Sequence, residues 1–232
     1  MKLCVVALSP LLLAVLLTAS AYGQEFDKGV EAAKRGDYVA ALREFRPLAE
    51  QGNAKAQASL GYMYVHGEGV AQDYVEAIKW YRLAAEQGSA VSQFNLGHLY
   101  REGKGVPQDY VEAVKLYRAA SEQGYAVAQN SLAVMYARGQ GVAQDHSEAA
   151  KWLQRAAEQG LPDAQVSLGS AYYRGRGVLQ DYVEALKWLG LAAVQGNERG
   201  IAGIEDVGSK MSQVHVTEAK RRAREWLKAH QQ

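Results

Sequence analysis

The 232-residue chain carries 26 lysines and arginines against 25 aspartates and glutamates, a formal charge of +1. A balance this even leaves no electrostatic footprint for nucleic acid or an anionic membrane surface. The single cysteine, Cys4, excludes an intrachain disulfide and leaves the rest of the chain without a thiolate metal site.

Residues 1–23 read as a secretory signal peptide. Lys2 supplies the positive start, Leu3 to Leu17 is apolar apart from Ser9, and small residues between Ala19 and Gly23 offer cleavage after residue 21 or 23. The apolar run is shorter than the ~20 residues of a comfortable membrane span, and no second run replaces it. The expected product is exported, periplasmic or secreted, with no membrane span in the mature chain. Its stability must come from packing rather than cross-links.

A shorter helical hairpin is expected over 24–52, turning at Gly36-Asp37-Tyr38. Beyond it a 36-residue period takes over. Gln-Asp recurs at Gln72, Gln108, Gln144 and Gln180, and Gln-Gly at Gln51, Gln87, Gln123, Gln159 and Gln195. A fixed period of this length signals stacked supersecondary units. Residues 53–196 divide into four of them, at 54–88, 90–124, 126–160 and 162–196.

In the first unit, Ala54 to His66 carries Ala56, Leu60, Gly61 and Tyr64 at helical spacing. A second helix from Asp73 to about Gln87 carries Ala77, Trp80, Tyr81, Ala84 and Ala85. Asp73 with Glu76 has capping-box spacing, repeated by Asp109/Glu112, Asp145/Glu148 and Asp181/Glu184. Four copies in register argue for capping and against paired catalytic carboxylates.

Gly67 and Gly69, with their equivalents, sit where the first helix must stop and reverse. Gly61, Gly97 and Gly169 lie inside a first helix, and Ala133 fills the same slot in the third unit. The slot therefore demands a small residue, and Ala at Gly97 is expected to be near neutral. Trp80, Trp152 and Trp188 recur in register and read as core, whereas Trp226 stands outside the period. Residues 197–232 lose the Gly-x-Gly-Val loop and read as C-terminal capping helices.

Read from Ala56 to Gly88, the pattern of Leu60-Gly61, Tyr64, Gly67-x-Gly69-Val70, Asp73, Ala77, Trp80-Tyr81 and Ala84-Ala85 resembles the Sel-one-like repeat, a relative of the tetratricopeptide repeat. Its departures are Ala133 for Gly, Leu116 for Trp and Ser121 for Ala. Gly61 to Ala77 is 16 residues, whereas Gly29 to Ala41 is 12, so 24–52 resembles a plain tetratricopeptide hairpin. The resemblance implies an all-α, right-handed α-solenoid of stacked helical hairpins. It also implies an adaptor or scaffold, often exported, that binds other proteins along a concave face. Relatives with one disulfide per repeat are linked to β-lactam binding or hydrolysis, but this chain lacks those cysteines.

No histidine joins a metal-binding motif, no Gly-x-Ser-x-Gly is present, and no cofactor or catalytic residue is expected. Residues that repeat build the solenoid, and residues that vary at exposed positions select the ligand. If the first helices line the groove, as in tetratricopeptide relatives, the varying positions are Tyr62, His98, Val134 and Ser170; Val65, Arg101, Ala137 and Tyr173; and His66, Glu102, Arg138 and Arg174. Tyr62, Val65, His66, His98, Arg101, Glu102, Arg138, Tyr173 and Arg174 are the candidate partner-binding residues. The expected function is an exported, non-enzymatic adaptor for a protein or peptide. A cell-wall- or β-lactam-directed hydrolase and a glycan-binding solenoid are the alternatives.

Overall fold

The computed structural model describes residues 24–230, and these form twelve helices with no strand among them. The first, α1, covers residues 24–34. It is followed by α2 (Tyr38–Glu50), α3 (Ala54–His66), α4 (Tyr74–Glu86), α5 (Ala90–Glu102) and α6 (Tyr110–Glu122). The remainder are α7 (Ala126–Arg138), α8 (His146–Glu158), α9 (Pro162–Arg174), α10 (Tyr182–Val194), α11 (Glu198–Gly208) and α12 (Gln213–His230). The expected signal peptide lies outside the described residues.

The described residues form two compact units, one of 24–92 with 104–106, the other of 93–103 with 107–230. The first unit is built around Phe45, Leu48, Leu60 and Met63, with Trp80 packed on them. The second holds two clusters, one centred on Tyr117, Leu132, Met135, Trp152, Leu168 and Trp188, the other on Val166, Leu186, Leu189 and Val207.

The recurrent dipeptides explain the helix ends. In the first repeat, α3 stops at Gly67, whose φ of 70° is left-handed. Gln72 Nε2 then donates to the Val65 carbonyl at 2.6 Å, and the Asp73 N–H donates to the Tyr64 carbonyl at 2.9 Å. The Asp73 carboxylate in turn accepts from the N–H groups of Val75 and Glu76 at 2.9 and 3.0 Å. One Gln-Asp pair thus satisfies the end of one helix and the start of the next. Such a cap contributes about 1 kcal/mol. In the second unit, Gln108, Gln144 and Gln180 bind the carbonyls of Arg101, Ala137 and Tyr173 in the same way, each at 2.8 Å.

Only the aspartate half of the expected capping box forms. The Asp N–H is already held by the preceding helix, so the glutamate turns outward to a lysine three residues on. Glu76 pairs with Lys79, and Glu148 lies 3.0 Å from Lys151.

The Gln-Gly dipeptide carries a second relay. Gln159 Nε2 donates to Gln129 Oε1 at 2.8 Å, and Gln129 Nε2 donates to the Ser121 carbonyl of the previous hairpin at 3.1 Å. Gln195, Gln165 and the Ala157 carbonyl repeat it at 3.0 and 3.2 Å. Gln129 and Gln165 are buried, so these bonds answer polar groups that water cannot reach.

The small slot faces the partner helix of its own hairpin. A Cβ on Gly61 would come within 2.6 Å of the Tyr81 ring, and one on Gly97 within 3.0 Å of the Tyr117 ring. In the third repeat Leu153 replaces the tyrosine, and Ala133 shares its cluster. Trp152 and Trp188 are buried in the same core.

Trp226, out of register, meets Trp188 edge-on at 6.2 Å from α12. Arg222 of α12 also bonds Glu184 of α10 at 2.7 Å. Hydrogen bonds from Arg221 and Arg222 hold the Glu218 carboxyl down to about 2. The basic C-terminal helix is therefore a lid on the last repeat as well as a charged face.

Candidate functional site

Within the second unit a groove of about 560 Å³ opens along α7, α8 and α9. Its floor is small and apolar, with Ala133, Val134 and Ala137 from α7 and Ala149, Ala150 and Leu153 from α8. Its rim is cationic. Arg138 ends α7, Arg174 ends α9, Arg176 follows in the loop, and Arg199 comes from α11.

Local folding places these charges. Arg138 and Arg174 each precede a left-handed glycine that stops the helix, at φ 66° and 64°. A cation in the last helical turn also complements the helix dipole. The single carboxylate in the groove, Asp163, accepts from Asn197 Nδ2 at 3.1 Å. His146 opens α8 beside them, and Ser167 and Ser170 add hydroxyls from α9.

The structure brings Arg138 and Arg174 together in this groove, with Val134, Ala137 and Ser170. His98, Arg101 and Glu102 form a separate cluster on α5. Arg101 Nη2 lies 2.9 Å from Glu102 Oε1 and 3.3 Å from His98 Nε2, and His98 Nε2 lies 3.4 Å from Glu102 Oε1. Tyr173 turns toward the C-terminal cap, where Lys210 bonds its hydroxyl and lies over its ring, with Tyr182 alongside at 5.7 Å.

Tyr62, Val65 and His66 belong to the other unit. The exposed Tyr62 ring lies 4.1 Å from the His66 ring, and half-buried Val65 gives its carbonyl to Gln72.

Reasoning from first-helix positions missed His146, Arg176 and Arg199. The signal existed for two of them. His146 stands where the other repeats have Tyr74, Tyr110 and Tyr182. Arg176 fills the middle of a Gly-x-Gly loop that elsewhere carries Glu68, Lys104 or Gln140. Both break the repeat outside the first helices, His146 at the start of a second helix and Arg176 in the loop before one. Among the described residues, no group of three or more His, Cys, Asp or Glu side chains could hold a metal ion. Chemically, the groove can receive an anionic group by paired guanidinium hydrogen bonds over an apolar bed.

A family model described as Sel1 repeat matches residues 54–89, 90–125, 126–161 and 162–197. Among curated proteins, none matches. Of the solved structures, a protective antigen present in uropathogenic Escherichia coli strains, displaying an SLR fold, is similar at 35% identity and a TM-score of 0.83. That likeness covers 92% of this chain and 48% of the antigen, so the chain spans about half of that relative's length. A Sel1 repeat protein from Oxalobacter formigenes is similar at 32% identity and a TM-score of 0.76, over 85% of this chain and 82% of the other. An immunity protein from Pseudomonas aeruginosa, at 21% identity and a TM-score of 0.52 over 84% and 69%, shares the fold alone. The fold class is accordingly the all-α solenoid of stacked helical hairpins.

Proposed function

This chain belongs to the Sel1 repeat family, and from that membership we propose that it is an exported, non-enzymatic scaffold that holds a segment of another protein in the groove of its second unit. The observation that carries this reading is the groove itself. It has a preformed apolar floor from helices fixed by caps and buried glutamines, rimmed by side chains that do not follow the repeat. A rigid surface of this kind spends little ordering entropy when it binds. Arginine at the edge of an apolar bed is also characteristic of protein-binding hot spots.

Export rests on the first 23 residues. The expected mature N-terminus is Tyr22 or Gln24, read by N-terminal sequencing; Met1 retained on a membrane-bound form would overturn it.

Binding is tested in the living cell with a photo-crosslinking residue. Placed at Val134 or Ser170, in the groove, it should yield discrete protein adducts. Placed at Lys115 or Lys151, exposed on second helices, it should yield none. Adducts from the second-helix positions alone would overturn the groove as the binding face.

A further inference from the structure

We infer that the occupant of the groove is an acidic peptide segment, one in which aspartates or glutamates alternate with small apolar residues. This rests on the scaffold reading above and specifies its partner.

The first observation is charge. Arg138, Arg174, Arg176 and Arg199 all line one groove, and none of their guanidiniums makes a hydrogen bond or ion pair to any described residue. Other arginines of the second unit are engaged. Arg118 bonds the Tyr136 hydroxyl and Arg155 lies over the Trp152 ring at 4.5 Å, while Arg222 bonds Glu184. Yet the chain as a whole is almost neutral, at +1. Four arginines against the single carboxylate of Asp163 make this groove a positive patch, the arrangement that steers an oppositely charged partner to one face.

The second observation is the floor. Alanines and Val134 leave room for short apolar side chains between the charges, and a groove of about 560 Å³ admits a short stretch of extended chain rather than a folded domain. The third observation favours a peptide over a nucleic acid. The groove lining offers short apolar side chains and no tyrosine, tryptophan or phenylalanine on which a base could stack.

The probe is a fluorescein-labelled peptide of about twelve residues alternating Glu and Ala, with a Lys-Ala peptide and a thymidine oligonucleotide of similar length as comparators. By fluorescence anisotropy with the full chain, the Glu-Ala peptide should bind and the other two should not. Binding should weaken by about tenfold or more in the double variant Arg138→Glu/Arg174→Glu. It should also weaken as salt rises from about 50 to about 300 mM. If that variant loses helicity, Arg176→Ala/Arg199→Ala replaces it.

Equal binding of the Lys-Ala peptide, preference for the oligonucleotide, or binding that survives both double variants would overturn the inference. Selection from a random peptide library separates it from the reading beneath. Groove-dependent binders without acidic residues would overturn the acidic partner and leave the scaffold standing. The absence of any groove-dependent binder would overturn both.

Discussion

The packing of Gly97 against Tyr117 decides how much one methyl group matters. A Cβ at residue 97 would sit 3.0 Å from two Tyr117 ring carbons and 3.2 Å from the Leu116 Cβ. That ring is fully buried and cannot swing out. Replacing Gly by Ala inside a helix recovers about 1 kcal/mol, whereas overpacking a core costs about 1–3 kcal/mol. The balance makes Gly97→Ala destabilising by about 1 kcal/mol in urea unfolding, against the near-neutral outcome that Ala133 suggests in the sequence. The sequence shows the slot but not what stands opposite, and opposite Ala133 the tyrosine has become Leu153. In a Tyr117→Leu background, Gly97→Ala should therefore cost nothing or stabilise. A double-mutant cycle without a coupling of at least about 0.5 kcal/mol would refute the contact. The phenol offers a second test. The Tyr117 hydroxyl is buried without a partner, so Tyr117→Phe removes a desolvated group and should leave stability unchanged or raise it by about 1 kcal/mol. Burial pushes that phenol from its ordinary value near 10 up to about 12. The unfolded chain then ionises before the folded one. Stability from this group is intact below pH 10 and is lost as pH rises from about 10 to about 12. Tyr117→Phe should lose less stability than the parent across that window, measured by denaturation at each pH.

At the scale of the helical hairpin, the two glycines of each loop have different duties. Gly175 ends α9 at φ 64°, and its nearest neighbour to an added Cβ would be the Gln180 Cβ at 3.4 Å. Gly177 has a φ of 74°, and a Cβ there would overlap the backbone carbonyl of His146, at the start of the previous second helix. Both substitutions incur the left-handed penalty of roughly 1–2 kcal/mol, but only the second also forces two hairpins apart. Gly175→Ala should cost about 1 kcal/mol, and Gly177→Ala at least about 1 kcal/mol more, read from urea midpoints. Equal costs would show that the loop does not pack on the neighbouring hairpin. This division marks what the sequence discloses. Helix spans, aspartate caps and the first glycine are legible because their partners lie within a few residues. The second glycine, and the glutamine relay from Gln159 through Gln129 to the Ser121 carbonyl, depend on residues about one repeat apart. The period announces that such positions matter without saying what they touch. The glutamate of the expected capping box fails for a related reason, since a carbonyl from the preceding helix has already taken its donor.

Across the second unit, the same logic extends to the candidate site and to the end of the stack. Arg138 and Arg174 were reachable from sequence because they occupy one register position. Arg199 was not, because it joins the groove from a capping helix that has left the period. Stability in such an array is approximately a sum of units and nearest-neighbour interfaces, so damage at one end should fade with distance. Trp226 is the place to test this. It packs edge-on against Trp188 at 6.2 Å and stacks on His230 at 4.0 Å, sealing α10 beneath α12. Trp226→Ala removes a half-buried aromatic, which should cost about 2 kcal/mol or somewhat more, at or below the low end for buried aromatics. Amide hydrogen exchange should then accelerate in α12, α11 and α10, while the core of α7 around Leu132 and Met135 keeps its protection. The groove lies mainly between those regions, so peptide binding there should weaken only slightly, through Arg199 on α11. Uniform acceleration from α7 to α12 would mean that the unit unfolds as one block. The C-terminal helix would then stabilise the whole groove rather than cap its last repeat.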